Sequence, residues 1–302
     1  MRIFKAFTSI ALFFLVLITT PTGVFAQANL LNAKVPQEVA QFNEQQQIAN
    51  NNQPLAYGFV GDRDVLWSKT IWEIVDLNER INFPYYFPTD TLLGSERRSL
   101  FHVLKKGLQN GSIKEVYKTS YFHEKLTFDE IQESLIAVDT TDQGYDQFNA
   151  GEVVDPQFIT RRNITAAEIQ QYRIKGTWYF NKRLGEMKYR ILAICPVAPD
   201  VNFLEAPEEE QDLVELFWIW YPDARKILNS NAVFNSKNSS HPISFDHMLN
   251  SRRFNAVIYK EENVYEDRKV EDYIFEDALR QLLESERIRS VIRDIEQDMW
   301  NN

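Results

Sequence analysis

Gly176-Thr-Trp-Tyr-Phe-Asn-Lys-Arg-Leu-Gly-Glu-Met-Lys-Tyr-Arg-Ile-Leu-Ala-Ile-Cys195-Pro196 decides how the rest of the chain is read. Residues 177–180 and 186–195 are rich in aromatic and β-branched side chains, which favour strands. Between them, residues 181–185 supply the Asn and Gly that tolerate left-handed backbone angles, so the pair predicts a β-hairpin. On its second strand, alternation places Met187, Tyr189, Ile191, Ala193 and Cys195 on one face. Lys188 and Arg190 fall on the other, followed by Leu192 and Ile194, so this strand starts half wet and ends buried on both faces. Pro196, which cannot donate to a ladder, is expected to end it. Residues 213–221 (Leu-Val-Glu-Leu-Phe-Trp-Ile-Trp-Tyr) carry one charge in nine and predict a central strand covered on both faces. The fold class that follows is α+β: a small, aromatic-rich antiparallel sheet over about residues 176–221, packed with helices and preceded by a flexible N-terminal arm.

Outward from this core, the N-terminus has the layout of an export signal. Arg2 and Lys5 form a basic start, 6–18 an apolar run, and Val24-Phe25-Ala26 a small-residue site, predicting a cleaved signal peptide over 1–26 with the cut between Ala26 and Gln27. The apolar run is short of the roughly 20 residues a spanning helix needs, and no later stretch is apolar enough to span. No cysteine lies near the cut, which excludes a lipid-anchored chain. The only cysteine, Cys195, excludes an intramolecular disulfide and reads as a small buried hydrophobe. Without Arg2 and Lys5, the 33 basic side chains fall to 31 against 43 acidic ones, a net charge of −12. Such a balance argues against a nucleic-acid partner, whose phosphates call for a basic surface.

Residues 27–60, with Gln45-Gln46-Gln47 and Asn50-Asn51-Asn52, read as an extended arm with few apolar anchors, and 61–302 as the folded domain. From Asp62 or Asp64 as cap, Val65, Leu66, Ile71, Trp72, Val75 and Leu77 suggest a helix or a helix leading into a strand. Residues 82–88 (Asn-Phe-Pro-Tyr-Tyr-Phe-Pro) predict an extended aromatic segment. A helix is expected from Ser95 to Asn110-Gly111, a strand over 116–126, and a helix over 127–138 with a Thr127/Glu130 capping box. Residues 139–160 read as loop, and a second capping box, Thr165/Glu168, predicts a short helix to Arg173. Residues 207–210 (Pro-Glu-Glu-Glu) form an acidic loop, and Ser244 caps a helix over 244–250. In the last helix Ile274, Leu282, Ile288, Ile292, Ile295 and Met299 share a face, and Glu276 and Arg280 form an i,i+4 pair.

The search for chemistry returns no catalytic, cofactor or metal motif. His102, His123, His241 and His247 are scattered, and Asp139, Asp142, Gly144 and Asp146 lack a calcium loop's register and closing Glu. Glycines are too sparse for a phosphate loop, and no Gly-x-Ser-x-Gly is present. Asp62/Asp64 and Glu186/Glu215 are the paired carboxylates that keep a hydrolase or a free periplasmic ligand-binding protein as the alternative reading. Glu215, a lone charge in an apolar strand, is expected to pair with Lys188 or Arg190 across the sheet. Aromatic side chains at strand ends, namely Trp178, Tyr179, Phe180, Trp218 and Trp220, are the candidates for a protein interface.

The 176–196 run, together with Leu66-Trp67-Ser68-Lys69, Trp72-Glu73, Asn82-Phe83-Pro84-Tyr85-Tyr86 and Tyr221-Pro222-Asp223-Ala224-Arg225, resembles the gliding-motility GldN/PorN family of the type IX secretion system. The likeness extends over essentially everything after the signal. It implies a periplasmic, non-enzymatic subunit without cofactors. Such a subunit self-associates in a ring with the outer-membrane lipoprotein GldK/PorK, beneath the outer membrane, and contacts the periplasmic part of the motor protein GldM/PorM.

Overall fold

The computed structural model describes residues 54–89, 98–151, 153, 155–204, 206–207, 211–233, 243–275 and 277–300. The predicted signal peptide, residues 27–53 of the arm, Ser95, 208–210, His241 and Glu276 lie outside them. The first half holds β1 (Val65–Asp76), α1 (Phe83–Tyr86), α2 (Leu100–Gln109), β2 (Val116–Tyr117), α3 (Phe128–Leu135), β3 (Ile136–Thr140), α4 (Asp142–Asn149) and β4 (Ile159–Asn163). There follow β5 (Gln171–Asn181), β6 (Glu186–Pro199), β7 (Leu213–Glu215), β8 (Trp218–Trp220), α5 (Tyr221–Ser230), β9 (Ala232–Val233), β10 (Ile243–Ser244), α6 (Phe245–Asn250), β11 (Val257–Glu261) and α7 (Ala278–Trp300).

The expected hairpin is the centre of an antiparallel sheet ordered β11-β1-β5-β6-β8-β2, with β7 also on β6. Its turn works as predicted: Gly185 takes φ +64, and the Asn181 side chain accepts from the backbone N–H groups of Arg183 and Leu184. The α+β class is confirmed, and the sheet is wider than 176–221 because β1, β2 and β11 join it. β1 replaces the helix suggested after Asp62. Ile71, Trp72 and Glu73 are buried in succession and so show no alternation to set against a helical period, and pairing with β5 at every residue but Leu66 overrides local preference.

A bulge reorders the faces of β6. Lys175 pairs with Ala193 and Gly176 with Ile191, leaving Leu192 as the extra residue. Ile191 and Ile194 therefore face the main core under the helices, whereas Ala193, Cys195 and Val197 turn to the opposite face with Trp72 and Trp218. The single-face alternation expected for Ile191, Ala193 and Cys195 is thus broken. Nor does Pro196 end the strand. It sits opposite the break between β7 and β8, where its carbonyl accepts from Leu216 and its missing N–H interrupts no ladder. The predicted strand over 213–221 is split at that same break, and Tyr221 already belongs to α5.

Helices cover one face of the sheet. Leu100, Phe101, Val103 and Leu104 of α2, Ala224 and Leu228 of α5, and Phe245 and Leu249 of α6 join the main core. Ser99 caps α2, Ser244 caps α6, and the Thr127/Glu130 box caps α3. At Thr165 half of the box forms, with Glu168 accepting from the Thr165 backbone N–H and hydroxyl while Ala167 N, not Glu168 N, donates to that hydroxyl; β5 then starts at Gln171 and no helix follows. Residues 83–86 make a helical turn with Pro84 near its start, and only Phe87, before Pro88, is extended. Two expectations were too simple: 139–160 holds α4 and the inner ends of β3 and β4, and 116–126 contributes only β2. On α7, Ser285, Ile288 and Ile292 are buried, and the Ser285 hydroxyl accepts from Ile258 N at 2.8 Å, fixing the helix to β11. Leu282 lies about 100° round the helix from that stripe and is exposed. Arg280 pairs with Asp277.

Candidate interaction surfaces

The five candidate aromatic residues divide by exposure. Trp218 is 1% exposed, and its indole N–H donates to Glu215 at 2.5 Å, so within the chain it serves the core. Tyr179 and Phe180 are buried on opposite faces of β5. Trp178 and Trp220 are the two that keep partly exposed indoles. Trp178 lies 5.0 Å from the Tyr189 ring with the Arg252 guanidinium over it, and Trp220 meets the Phe122 ring edge-on at 5.0 Å.

Glu73 was not singled out in the sequence, yet it organises the centre of the sheet. It is 1% exposed, on the helix-covered face of β1. Arg252 holds it with two N–H donors, at 2.9 and 2.7 Å, and the Tyr189 hydroxyl donates at 2.8 Å. Burial opposes the Arg252 charge but is outweighed by the hydrogen bonds and charge of Glu73, which raise its pKa. The Tyr189 phenol is pushed well up, by burial first and then by Glu73. Arg252 reaches the carboxylate from a left-handed backbone, φ +50, a cost that a bidentate buried pair offsets. To cross the sheet, the Tyr189 ring runs directly over Gly176. A Cβ there would stand 2.2 Å from the phenol oxygen, so this glycine is required by close approach.

A second buried network ties in the end of the arm. Arg225 and Asp246 pair at 2.9 Å, and Asp246 also accepts from Tyr221 and Asn250. Arg225 donates to the Leu55 carbonyl and Arg190 to that of Gly58. Between those carbonyls, the Tyr57 ring has the two guanidiniums 3.9 Å and 4.8 Å from its centre, and its hydroxyl donates to Asn250. Burial, opposed by the Arg225 charge, pushes the Tyr57 phenol up to about 12. The arm's last residues, 54–60, are therefore pinned without regular structure.

Glu215 pairs with Arg173, not with Lys188 or Arg190: the bulge and the β7–β8 break bring β5's Arg173 to it, while Lys188 engages Glu186. Glu186 and Glu215 flank β6 positions eleven residues apart, roughly 35 Å along a strand, far beyond the spacing of a glycosidase pair. Cys195 is buried, and its thiol is pushed well up by burial and then by Glu215, which makes it unreactive. Among the described residues no group of His, Cys, Asp and Glu is placed to hold a metal ion, and no helix is long and apolar enough to cross a membrane.

Glu73 carried the same signal as Glu215: one charge inside an apolar run, here Thr-Ile-Trp-Glu-Ile-Val. Its partner, 179 residues away, carried none.

Among protein families, the model described as gliding motility associated protein GldN matches residues 60–301. No curated protein matches the chain. With that match spanning most of its length, the chain belongs to the GldN family, whose members are components of the gliding-motility and type IX secretion machinery.

Proposed function

We propose that this GldN-family chain is a non-enzymatic structural subunit of the type IX secretion and gliding machinery. On this reading it is exported by cleavage between Ala26 and Gln27 and works in the periplasm at the inner face of the outer membrane. There it self-associates in a ring with a GldK/PorK-type lipoprotein and contacts the periplasmic part of a GldM/PorM-type motor protein. The family match over residues 60–301 carries the reading. Two features support it. Polar side chains concentrated in the core are committed to one another, as in the Glu73 and Asp246 networks, which suits a rigid part. Apolar side chains are left on the outside: Phe275, just before α7, and Leu279, in its first turn, are 75% and 67% exposed, and Leu282 and Leu283 further along the helix are exposed as well. Trp178 and Trp220, the half-exposed candidates, would meet partners as aromatic anchors.

The test is capture through a C-terminal tag after gentle outer-membrane solubilisation, followed by native mass measurement. The reading expects a particle far larger than the 35.5 kDa chain, holding a lipoprotein in near-equal amount. A lone monomer, seen again after mild cross-linking, sinks it. In the same assay W220A is expected to lower partner recovery with the urea midpoint held. A midpoint that falls as far as for W218A would make Trp220 a core residue.

A further inference from the structure

In an acidic chain, one recess is basic. A cavity of about 610 Å³ opens beside α2, and Arg98, His102, Lys105 and Lys106 stand in its wall. The last three share a side of the helix through i,i+3 and i,i+4 spacing, with Gln109 one turn further on. Thr89 and Thr165 also line it, and no carboxylate is among the described lining residues. Glu168, the nearest in sequence to Thr165, is turned back onto the Thr165 backbone and hydroxyl at 2.6 and 2.5 Å. Among the described residues Lys105 and Lys106 enter no ion pair; Lys105 lies 5.9 Å from the Phe101 ring centre.

This crowding has an electrostatic cost. Burial lowers the Lys105 pKa, and burial followed by the charges of Arg98, Lys106 and Lys105 lowers that of His102. An anion in the recess removes the mutual repulsion and meets several donors at once: two ammonium groups, an imidazole, and the hydroxyls and amides of the rim. A tetrahedral phosphate presents oxygens in several directions, and ammonium groups on flexible stems can close on it as point charges. The overall charge of −10 makes the basic recess a local feature, not a reflection of composition.

We propose that this recess binds a phosphate group, free or carried on a lipid headgroup. The proposal is independent of whether the chain is a ring subunit, since it rests on α2 and its surroundings alone. Calorimetric titration of the full chain with inorganic phosphate, at fixed ionic strength against chloride, addresses the free ion. Flotation with phosphatidylcholine vesicles, with and without phosphatidylglycerol, addresses the headgroup. The expected result is saturable binding in one of the two, weakened at least about tenfold in K105Q/K106Q, which removes two charge-assisted donors. As a control, K182Q/R183Q removes two exposed charges from the hairpin turn and should bind as the parent does. Phosphate binding alone identifies a soluble ligand, and vesicle binding alone a lipid. Absence of both, or equal loss in the two double variants at unchanged urea midpoints, overturns the site.

Discussion

Replacing Gly176 by alanine tests the centre of the sheet with a single methyl group. The new Cβ would lie 2.2, 2.3 and 2.7 Å from the Oη, Cζ and Cε2 atoms of Tyr189. Carbon atoms in contact want about 3.5–4.0 Å, so the ring must move by more than an ångström. It has little room: its hydroxyl is bound to Glu73, Arg252 lies 4.1 Å from its centre, and Trp178 packs beside it. Overpacking of this kind costs about 1–3 kcal/mol. Loss of the phenol's hydrogen bond to a buried charged carboxylate adds about 1.5–3 kcal/mol. Together G176A should lose about 3–5 kcal/mol in urea unfolding. The decisive measurement is the double-mutant cycle. With Tyr189 already cut to alanine the obstruction is gone, and G176A becomes neutral or slightly favourable, because alanine restricts the unfolded chain more than glycine does. A coupling of about 3 kcal/mol or more between the two sites is expected. Equal cost of G176A in both backgrounds would refute the close-approach argument.

Other perturbations address separate parts of the molecule. R225M leaves the buried Asp246 without its cation and should cost about 3–5 kcal/mol by urea unfolding, while R225M/D246L should recover only part of the loss, because Tyr221 and Asn250 then lose their acceptor. Y57A should release residues 54–60, read as faster amide exchange there with little change elsewhere. His102 carries a lowered pKa, so the folded chain binds fewer protons than the unfolded one. Its contribution is complete above about pH 6.5 and is lost as pH falls below that value. H102Q should therefore flatten the fall in urea midpoint between about pH 7.5 and 5, and an unchanged slope would assign that fall elsewhere. Cys195, buried with a raised thiol pKa, should resist a thiol reagent in the native protein and react at once in denaturant.

What was legible in the sequence was local. The 181–185 turn, the strands beside it, and the Ser244 and Thr127 caps depend on neighbours within a few residues, so residue type was enough. The family resemblance, carried by the 176–196 run and its flanking motifs, was equally local in origin, and the match over 60–301 bears it out. Errors arose where long-range pairing decides. Residues 65–76 look helical until β5 is present to pair with all of them but Leu66. Thr165 and Glu168 make half of their box, yet the chain then enters β5 because β1 and β6 offer two ladders. The Leu192 bulge leaves no compositional mark, and it alone moves Ala193 and Cys195 to the other face. The partner of Glu215 was misassigned for the same reason, since a strict alternation puts the wrong cations opposite it.

The ion pairs of Glu73 and Asp246, both buried, and of the exposed Glu215 are best understood as devices of register. Paired charges inside a protein repay little of their desolvation, and a well-packed apolar replacement often stabilises as well. Their distribution here is nonetheless consistent: each joins segments far apart in sequence at a place where the backbone departs from regularity. Glu73 meets Arg252 at a left-handed residue after α6. Arg173 meets Glu215 beside the break between β7 and β8. Arg225 meets Asp246 where residues 54–58 join the domain. Slipping β1 by one residue would turn Glu73 to the opposite face and leave Arg252 unpaired. The pairs thus penalise wrong arrangements more than they stabilise the right one. What the three pairs supply is a wider energy gap to a displaced strand, placed where the backbone is least regular.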